Sequence, residues 1–125
     1  MKQLFFQTLA EWRDWLAKNY NKESVLWLIF YKKETGISSI DYESAVEEAL
    51  CYGWIDSIIK KLDESRYARK FTPRKDSSKW SEINKNRVAR LIKNGRMTKI
   101  GLAKIKVYFL ILPFNIRSSG MLIRI

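Results

Sequence analysis

Seven consecutive apolar residues, Val25 to Tyr31, constrain the fold of this chain more than any other feature. The run is rich in β-branched and aromatic side chains, which is typical of a short strand covered on both faces. Upstream, Thr8 and Glu11 fit a capping box at a helix start. Downstream, Asp41 can cap a second helix that Gly53 ends. We therefore expect a central strand between two helices.

The second helix has an apolar stripe and an acidic face. The stripe contains Tyr42, Ala45, Val46, Ala49 and Leu50, and the face predicted to contact water contains Glu43, Glu47 and Glu48. After Gly53, two further strands are predicted at 54–59 and 66–72, and Pro73 ends the second because it cannot donate to a strand ladder.

Two more helices complete the predicted order. Ser77 or Ser78 is expected to cap a helix that Gly95 closes, and Thr98 to open a last helix. Its inward residues are predicted to be Leu102, Ala103 and Ile105. The predicted fold is α+β, with a small, mainly antiparallel three-stranded sheet packed with about four helices. Residues 1–106 are expected to form a single domain.

Residues 107–125 form an atypical tail that is nearly uncharged and apolar. The tail is too short to span a membrane, which takes about 20 apolar residues. Two explanations stay open: a frameshift or truncation that replaced the native end, or a buried final strand. The first segment has only a three-residue apolar patch and does not resemble a signal peptide, so we expect a cytoplasmic protein.

The positive charge lies in one half of the chain. Residues 1–56 hold 6 basic and 9 acidic side chains, whereas residues 57–106 hold 16 basic and 4 acidic ones. Such an asymmetry indicates an anionic partner, although a lysine-rich solvated surface explains it equally well.

Several chemistries are excluded by composition. The chain has no histidine and one cysteine, so it cannot form a Ser-His-Asp triad, a histidine metal site or an internal disulfide. Cys51 lies among glutamates that would raise its pKa, which does not favour a nucleophile. No glycine pattern for phosphate cofactors is present, and we expect no cofactor and no metal.

Residues 53–80 contain a dense block of aromatic, arginine and turn residues. Its motifs are Gly53-Trp54-Ile55-Asp56-Ser57, then Tyr67, then Phe71-Thr72-Pro73-Arg74-Lys75, then Ser78 and Trp80. Through them the chain resembles the YdeI/OmpD-associated family, also called bacteriocin-protection proteins, over about residues 8–106. The resemblance implies a bacterial protein that protects against bacteriocins or antimicrobial peptides. It also implies a lysine- and alanine-rich helix and a further helical segment where this chain has its apolar tail.

Arg69 is the first candidate site residue. On a regular strand it shares a face with Tyr67 and Phe71, so it points inward and needs a carboxylate or a bound anion. Asp56 on the preceding strand is the nearest carboxylate by topology. An internal Arg69–Asp56 pair is the favoured interpretation, and an anionic ligand that shares Arg69 is the functional one.

The loop after the third predicted strand is the second candidate. Thr72, Arg74 and Lys75 precede Ser78 and a helix start, an arrangement that suits a phosphate or carboxylate. Trp54 and Trp80 flank this block and could stack on a ring, although core packing is the commoner use of tryptophan. The full predicted ligand site is Asp56, Arg66, Arg69, Thr72, Arg74, Lys75, Ser78 and Trp80.

Three functions follow from these candidates. We expect a non-catalytic binding protein whose arginine-rich site holds an anionic small molecule or acidic peptide. The first alternative is a nucleic-acid contact through the basic helix predicted at 79–96, and the second is an enzyme that uses Asp56 with Arg69. Convergence of Arg66, Arg69 and Arg74 on one cleft would favour the binding site.

Overall fold

Four strands and four helices form the described part of the protein, a computed structural model that describes residues 2–75 and 80–105. The strands are β1 (Gln3–Leu4), β2 (Leu26–Tyr31), β3 (Trp54–Lys61) and β4 (Arg66–Pro73). The helices are α1 (Leu9–Asn19), α2 (Tyr42–Cys51), α3 (Glu82–Lys93) and α4 (Lys99–Lys104). The predicted α+β class is confirmed.

The strands form one sheet in the order β1-β2-β4-β3. β4 is antiparallel to both β2 and β3, and β1 is parallel to β2. The prediction of three strands was therefore one short, since β1 has only two residues and so carries no periodic pattern. β2 lies inside the sheet, as its apolar run predicted.

The two faces of the sheet differ in burial. Leu26 pairs with Phe71 and Leu28 with Arg69, so these residues share one face, where the three apolar side chains are at most 1% exposed. The apolar residues of all four helices join this core. Trp27 and Ile29 point to the other face and are only half-buried. Coverage of β2 is therefore complete on one face only, because the described helices pack on that side.

A side-chain cap precedes each of the helices α1 to α4. The N–H of Glu11 donates to Thr8 Oγ1 at 3.3 Å and the N–H of Thr8 donates to Glu11 Oε1 at 2.9 Å, which is the predicted capping box. The N–H of Ser44 donates to Asp41 Oδ1 at 3.0 Å. Gly53 follows α2 with a φ of +75°, a conformation that glycine adopts without strain.

The start of α3 differs from the prediction. The N–H of Asn84 donates to Ser81 Oγ at 3.1 Å, so Ser81 is the cap and the helix begins at Glu82. An acidic first residue also suits the positive end of the helix dipole. Ser77 and Ser78, the predicted caps, lie outside the described residues.

In α4 the prediction was correct for two of three inward residues. Thr98 caps the helix and Leu102 and Ile105 are buried, but Ala103 is exposed. Gly101 is buried instead, and a Cβ added there would lie 2.5 Å from the Cys51 carbonyl oxygen. The tail at 107–125 lies outside the described residues. Among those residues, no helix combines the length and the apolar character that crossing a bilayer requires.

Candidate functional site

Arg69 and Asp56 form an internal ion pair on the helix-covered face of the sheet. Arg69 Nη1 lies 3.4 Å from Asp56 Oδ2, and the Tyr42 hydroxyl donates to the same oxygen at 2.9 Å. The guanidinium also stacks on the Tyr42 ring, 4.0 Å from its centroid. Burial raises the pKa of Tyr42, and the hydrogen bond to Asp56 raises it further. The internal Arg69–Asp56 pair, which was the favoured interpretation of Arg69, is therefore present.

The three arginines do not converge on one cleft. Arg66 begins β4 and pairs with Asp63 at 2.9 Å in the exposed turn before it. Arg74 follows the other end of the strand, roughly 25 Å away at the rise of an extended chain. Arg69 lies between them on the opposite face from Arg66. Asp56, Arg66 and Arg69 are therefore not part of one site with Arg74.

A different set of residues surrounds Arg74. A groove of about 710 Å³ lies at the end of the sheet where β4 leaves it. We call it the basic groove. It is lined by the cations Lys70, Arg74, Lys75 and Lys104, by the hydroxyl residues Ser24, Ser57 and Thr72, and by Pro73. Four cationic and three hydroxyl side chains thus lie together, and no carboxylate is among the described residues that line the groove.

Arg74 is the most enclosed cation of the basic groove. Its side chain is buried, with a residue exposure of 5%, and burial lowers its pKa. The guanidinium carbon lies 3.7 Å from the centroid of the Trp80 ring, a stacked cation–π contact. Its backbone N–H donates to the Gly53 carbonyl oxygen at 2.8 Å. Trp80 and Gly53 therefore hold Arg74 in position.

Backbone geometry brings distant segments to the basic groove. Trp54 pairs with Pro73, which places the start of β3 beside the end of β4. An added Cβ at Gly53 would lie 2.5 Å from Lys104 Cγ, so the glycine lets α4 approach closely. Lys70 and Thr72 are two residues apart on β4, so their side chains point to the same face of the strand.

A second, less polar cavity adjoins the basic groove. It has a volume of about 400 Å³ and shares Pro73 and Lys104 with the groove. We call it the aromatic pocket. The rest of its wall consists mainly of Tyr20, Tyr52, Trp54, Ile100 and Ala103, with Asn21 and Gly53. Trp54 is 1% exposed and its indole N–H donates to the Tyr20 carbonyl oxygen at 3.1 Å, so Trp54 is a core residue at the base of this wall.

The basic face of α3 is largely paired with α2. Arg87 donates to both carboxylate oxygens of Glu43 at 2.9 and 2.6 Å, and Arg90 donates to Glu47 at 2.9 Å. Arg87 holds the pKa of Glu43 below its usual value. Glu43 is exposed to water as expected, and Glu43 and Glu47 also neutralise arginines of α3.

Glu48 is a buried member of the same acidic face. It is 0% exposed and accepts from Arg13 at 2.5 Å and from Arg96 at 2.7 Å. The expectation that Glu48 contacts water was wrong, since it shares the inward side of α2 with Ala45, three residues earlier. Burial and Glu48 raise the pKa of Cys51 to about 12, so this thiol stays protonated. Among the described residues, no cluster of three potential metal ligands is present.

Comparison with known families identifies the domain. Residues 4–104 match the family described as Domain of unknown function (DUF8412). The chain belongs to this family. No curated protein and no solved structure matches the chain. The match does not name the YdeI/OmpD-associated family, and that resemblance stays a prediction.

Three residues of the predicted site, Thr72, Arg74 and Lys75, line the basic groove of this DUF8412 domain. Trp80, a fourth, contacts the guanidinium of Arg74. Ser78 lies outside the described residues. Lys70 was missed although its two-residue spacing from Thr72 signalled a shared face. Ser24, Ser57 and Lys104 lie far apart in sequence, and no local pattern connects them.

Proposed function

We propose that this domain is a non-catalytic protein that binds an anionic small molecule or acidic peptide in the basic groove. The observation that carries the proposal is the groove's composition: cations and hydroxyl groups line one concavity, and the described lining holds no carboxylate. Cationic side chains and hydroxyls are the groups that bind phosphate and carboxylate oxygens most strongly. Elsewhere in the domain, the described arginines lie against aspartates or glutamates.

The lysines of the basic groove support the same conclusion. Lys70, Lys75 and Lys104 take part in none of the ion pairs among the described residues, although Lys70 is half-buried. Like charges held close together repel one another and destabilise a fold. A bound anion would offset that repulsion.

The test is calorimetric titration with inorganic pyrophosphate at low salt. We expect Lys70→Gln and Lys104→Gln each to weaken binding about tenfold, because a hydrogen bond to a charged group contributes about 1.5–3 kcal/mol. Lys93→Gln on α3 removes the same charge from an exposed position and is the matched control. Binding that weakens equally in all three variants, or no binding by the unsubstituted protein, would contradict the proposal.

The two other functions have less support from the geometry. Arg87 and Arg90, which a nucleic-acid contact through α3 would use, are engaged by Glu43 and Glu47. Asp56, one member of the proposed catalytic pair, is engaged by Arg69 Nη1 and by the Tyr42 hydroxyl. In the groove, by contrast, Lys70, Lys75 and Lys104 have no carboxylate beside them in the described lining.

The protective role that the resemblance implies is a separate proposal. Expression of this protein in a bacteriocin-sensitive bacterium should raise survival, and substitution of Lys70 and Lys104 should abolish the gain if the groove is responsible. Equal survival with and without the protein would reject a protective role while leaving ligand binding to be judged by calorimetry.

A further inference from the structure

The basic groove and the aromatic pocket are neighbouring cavities with two lining residues in common. Pro73 and Lys104 belong to the wall of both. Beyond these shared residues, the lining changes from lysines and hydroxyl groups to aromatic and aliphatic side chains. A ligand that fills both cavities therefore has an anionic end and an apolar end.

The wall of the aromatic pocket suits a flat ring better than a flexible chain. Tyr20 and Tyr52 present half-buried rings, and rings stack on the faces of other rings. Asn21 adds an amide that makes no hydrogen bond among the described residues. A nucleobase has both the π-face that stacks on tyrosine and the edge groups that bond to an amide.

Size also limits the ligand. A volume of about 400 Å³ lies at the lower end of the range for small-molecule sites. It is large enough for one base. The adjoining groove then receives the phosphate.

We infer that the ligand is a nucleoside monophosphate, with its phosphate in the basic groove and its base in the aromatic pocket. This inference rests on the proposed function, because it needs the groove to bind anions. It adds the class of ligand and a second set of contacts. Gly53 joins the two halves of the site, since it gives Lys104 the space to reach both.

The experiment compares inorganic phosphate, AMP, UMP and adenosine by calorimetry on the full chain. At least one nucleotide should bind about tenfold or more tightly than phosphate, as expected from stacking of one base. Adenosine should bind more weakly than AMP. Nucleotides that bind no better than phosphate would overturn this inference while leaving the anion site intact. Absence of binding by phosphate and nucleotides alike would instead overturn the proposed function, and this inference with it.

Ala103→Phe tests where the base lies. Ala103 is exposed on α4 and faces the aromatic pocket, so a phenyl ring there would fill the pocket without entering the core. Nucleotide affinity should fall to that of phosphate, and phosphate affinity should change less than twofold. Ala10→Phe places the same ring at an exposed position on α1 and should change neither.

Tyr20→Leu is the second variant, because it keeps an apolar side chain and removes only the ring. It should weaken nucleotide binding about tenfold and leave phosphate binding unchanged. Thermal unfolding of each variant shows whether it is folded. Nucleotide affinities unaffected by both Ala103→Phe and Tyr20→Leu would show that the base lies elsewhere and would overturn the inference.

Discussion

Two groups of cationic side chains in this domain differ in what faces them. The arginines around α2 lie against its acidic face, and the cations of the basic groove do not. The first group comprises Arg13, Arg87, Arg90 and Arg96, opposite Glu43, Glu47 and Glu48. The second comprises Lys70, Arg74, Lys75 and Lys104.

The difference teaches that positive charge by itself does not mark a site. The arginines around α2 link helices that are distant in sequence, so their charge contributes to the fold. The lysines of the basic groove repel one another, which contributes nothing to the fold and suits an anionic ligand. Substitutions in the two groups should therefore affect different measurements.

The largest expected effect is that of Glu48→Ala. Breaking a buried ion pair usually costs about 3–5 kcal/mol; here Arg13 and Arg96 can turn towards water, so we expect about 2–3 kcal/mol. Urea unfolding measures this loss. Lys70→Gln, from the other group, should change the free energy of unfolding by less than about 0.5 kcal/mol. Equal losses in the two variants would break the comparison.

Gly53→Ala should have an intermediate effect on stability and a specific one on binding. Gly53 and Gly36 have φ values of +75° and +73°, and alanine in this conformation costs about 1 kcal/mol at either position. Only at Gly53 does the added Cβ meet Lys104, because nothing lies within 4 Å of the corresponding atom at Gly36.

Urea unfolding and phosphate titration of the two glycine variants separate these effects. Gly53→Ala should lose more stability than Gly36→Ala, because its Cβ also meets Lys104, and it alone should weaken phosphate binding. Unchanged binding by Gly53→Ala would show that Lys104 does not contribute to the anion site.

The smallest expected effect is the pH dependence that Glu43 contributes. Arg87 lowers the pKa of Glu43 in the folded state, so this contribution is complete above the unfolded pKa of about 4.3. It is lost as the pH falls through the lower folded pKa. The stability advantage of the unsubstituted protein over Glu43→Gln should therefore shrink below about pH 4.3. Half-exposure of the Glu43 side chain keeps the effect small. An advantage that is independent of pH would show that the Arg87–Glu43 pair does not stabilise the fold.

Local patterns predicted the elements and most of their ends. The capping box at Thr8, the Asp41 cap and the apolar run of β2 all lie within a few residues of the structure that they specify. One strand and one helix start were not predicted, for identifiable reasons. β1 is too short for a periodic signal, and Ser81 is the serine whose side chain meets a free N–H of α3.

The candidate site was predictable only in part. The segment containing Thr72, Arg74 and Lys75 stood out by composition, and strand alternation indicated that Arg69 points inward and needs a partner. Asp56, the expected partner, is the one found. Strand alternation also places Lys70 on the same face of β4 as Thr72, although Lys70 was not among the predicted site residues.

By itself, the sequence determined that this chain forms an α+β domain, that most of its basic residues lie after residue 56, and that histidine-dependent chemistry is excluded. The tertiary structure decided which cations are neutralised. Glu48 lies between Arg13 and Arg96, and Lys104 lines the same groove as Lys70, only because α2 and α4 pack where they do. Electrostatic interactions depend on distance in space, and a helical or strand pattern carries no information about residues as far apart in sequence as these.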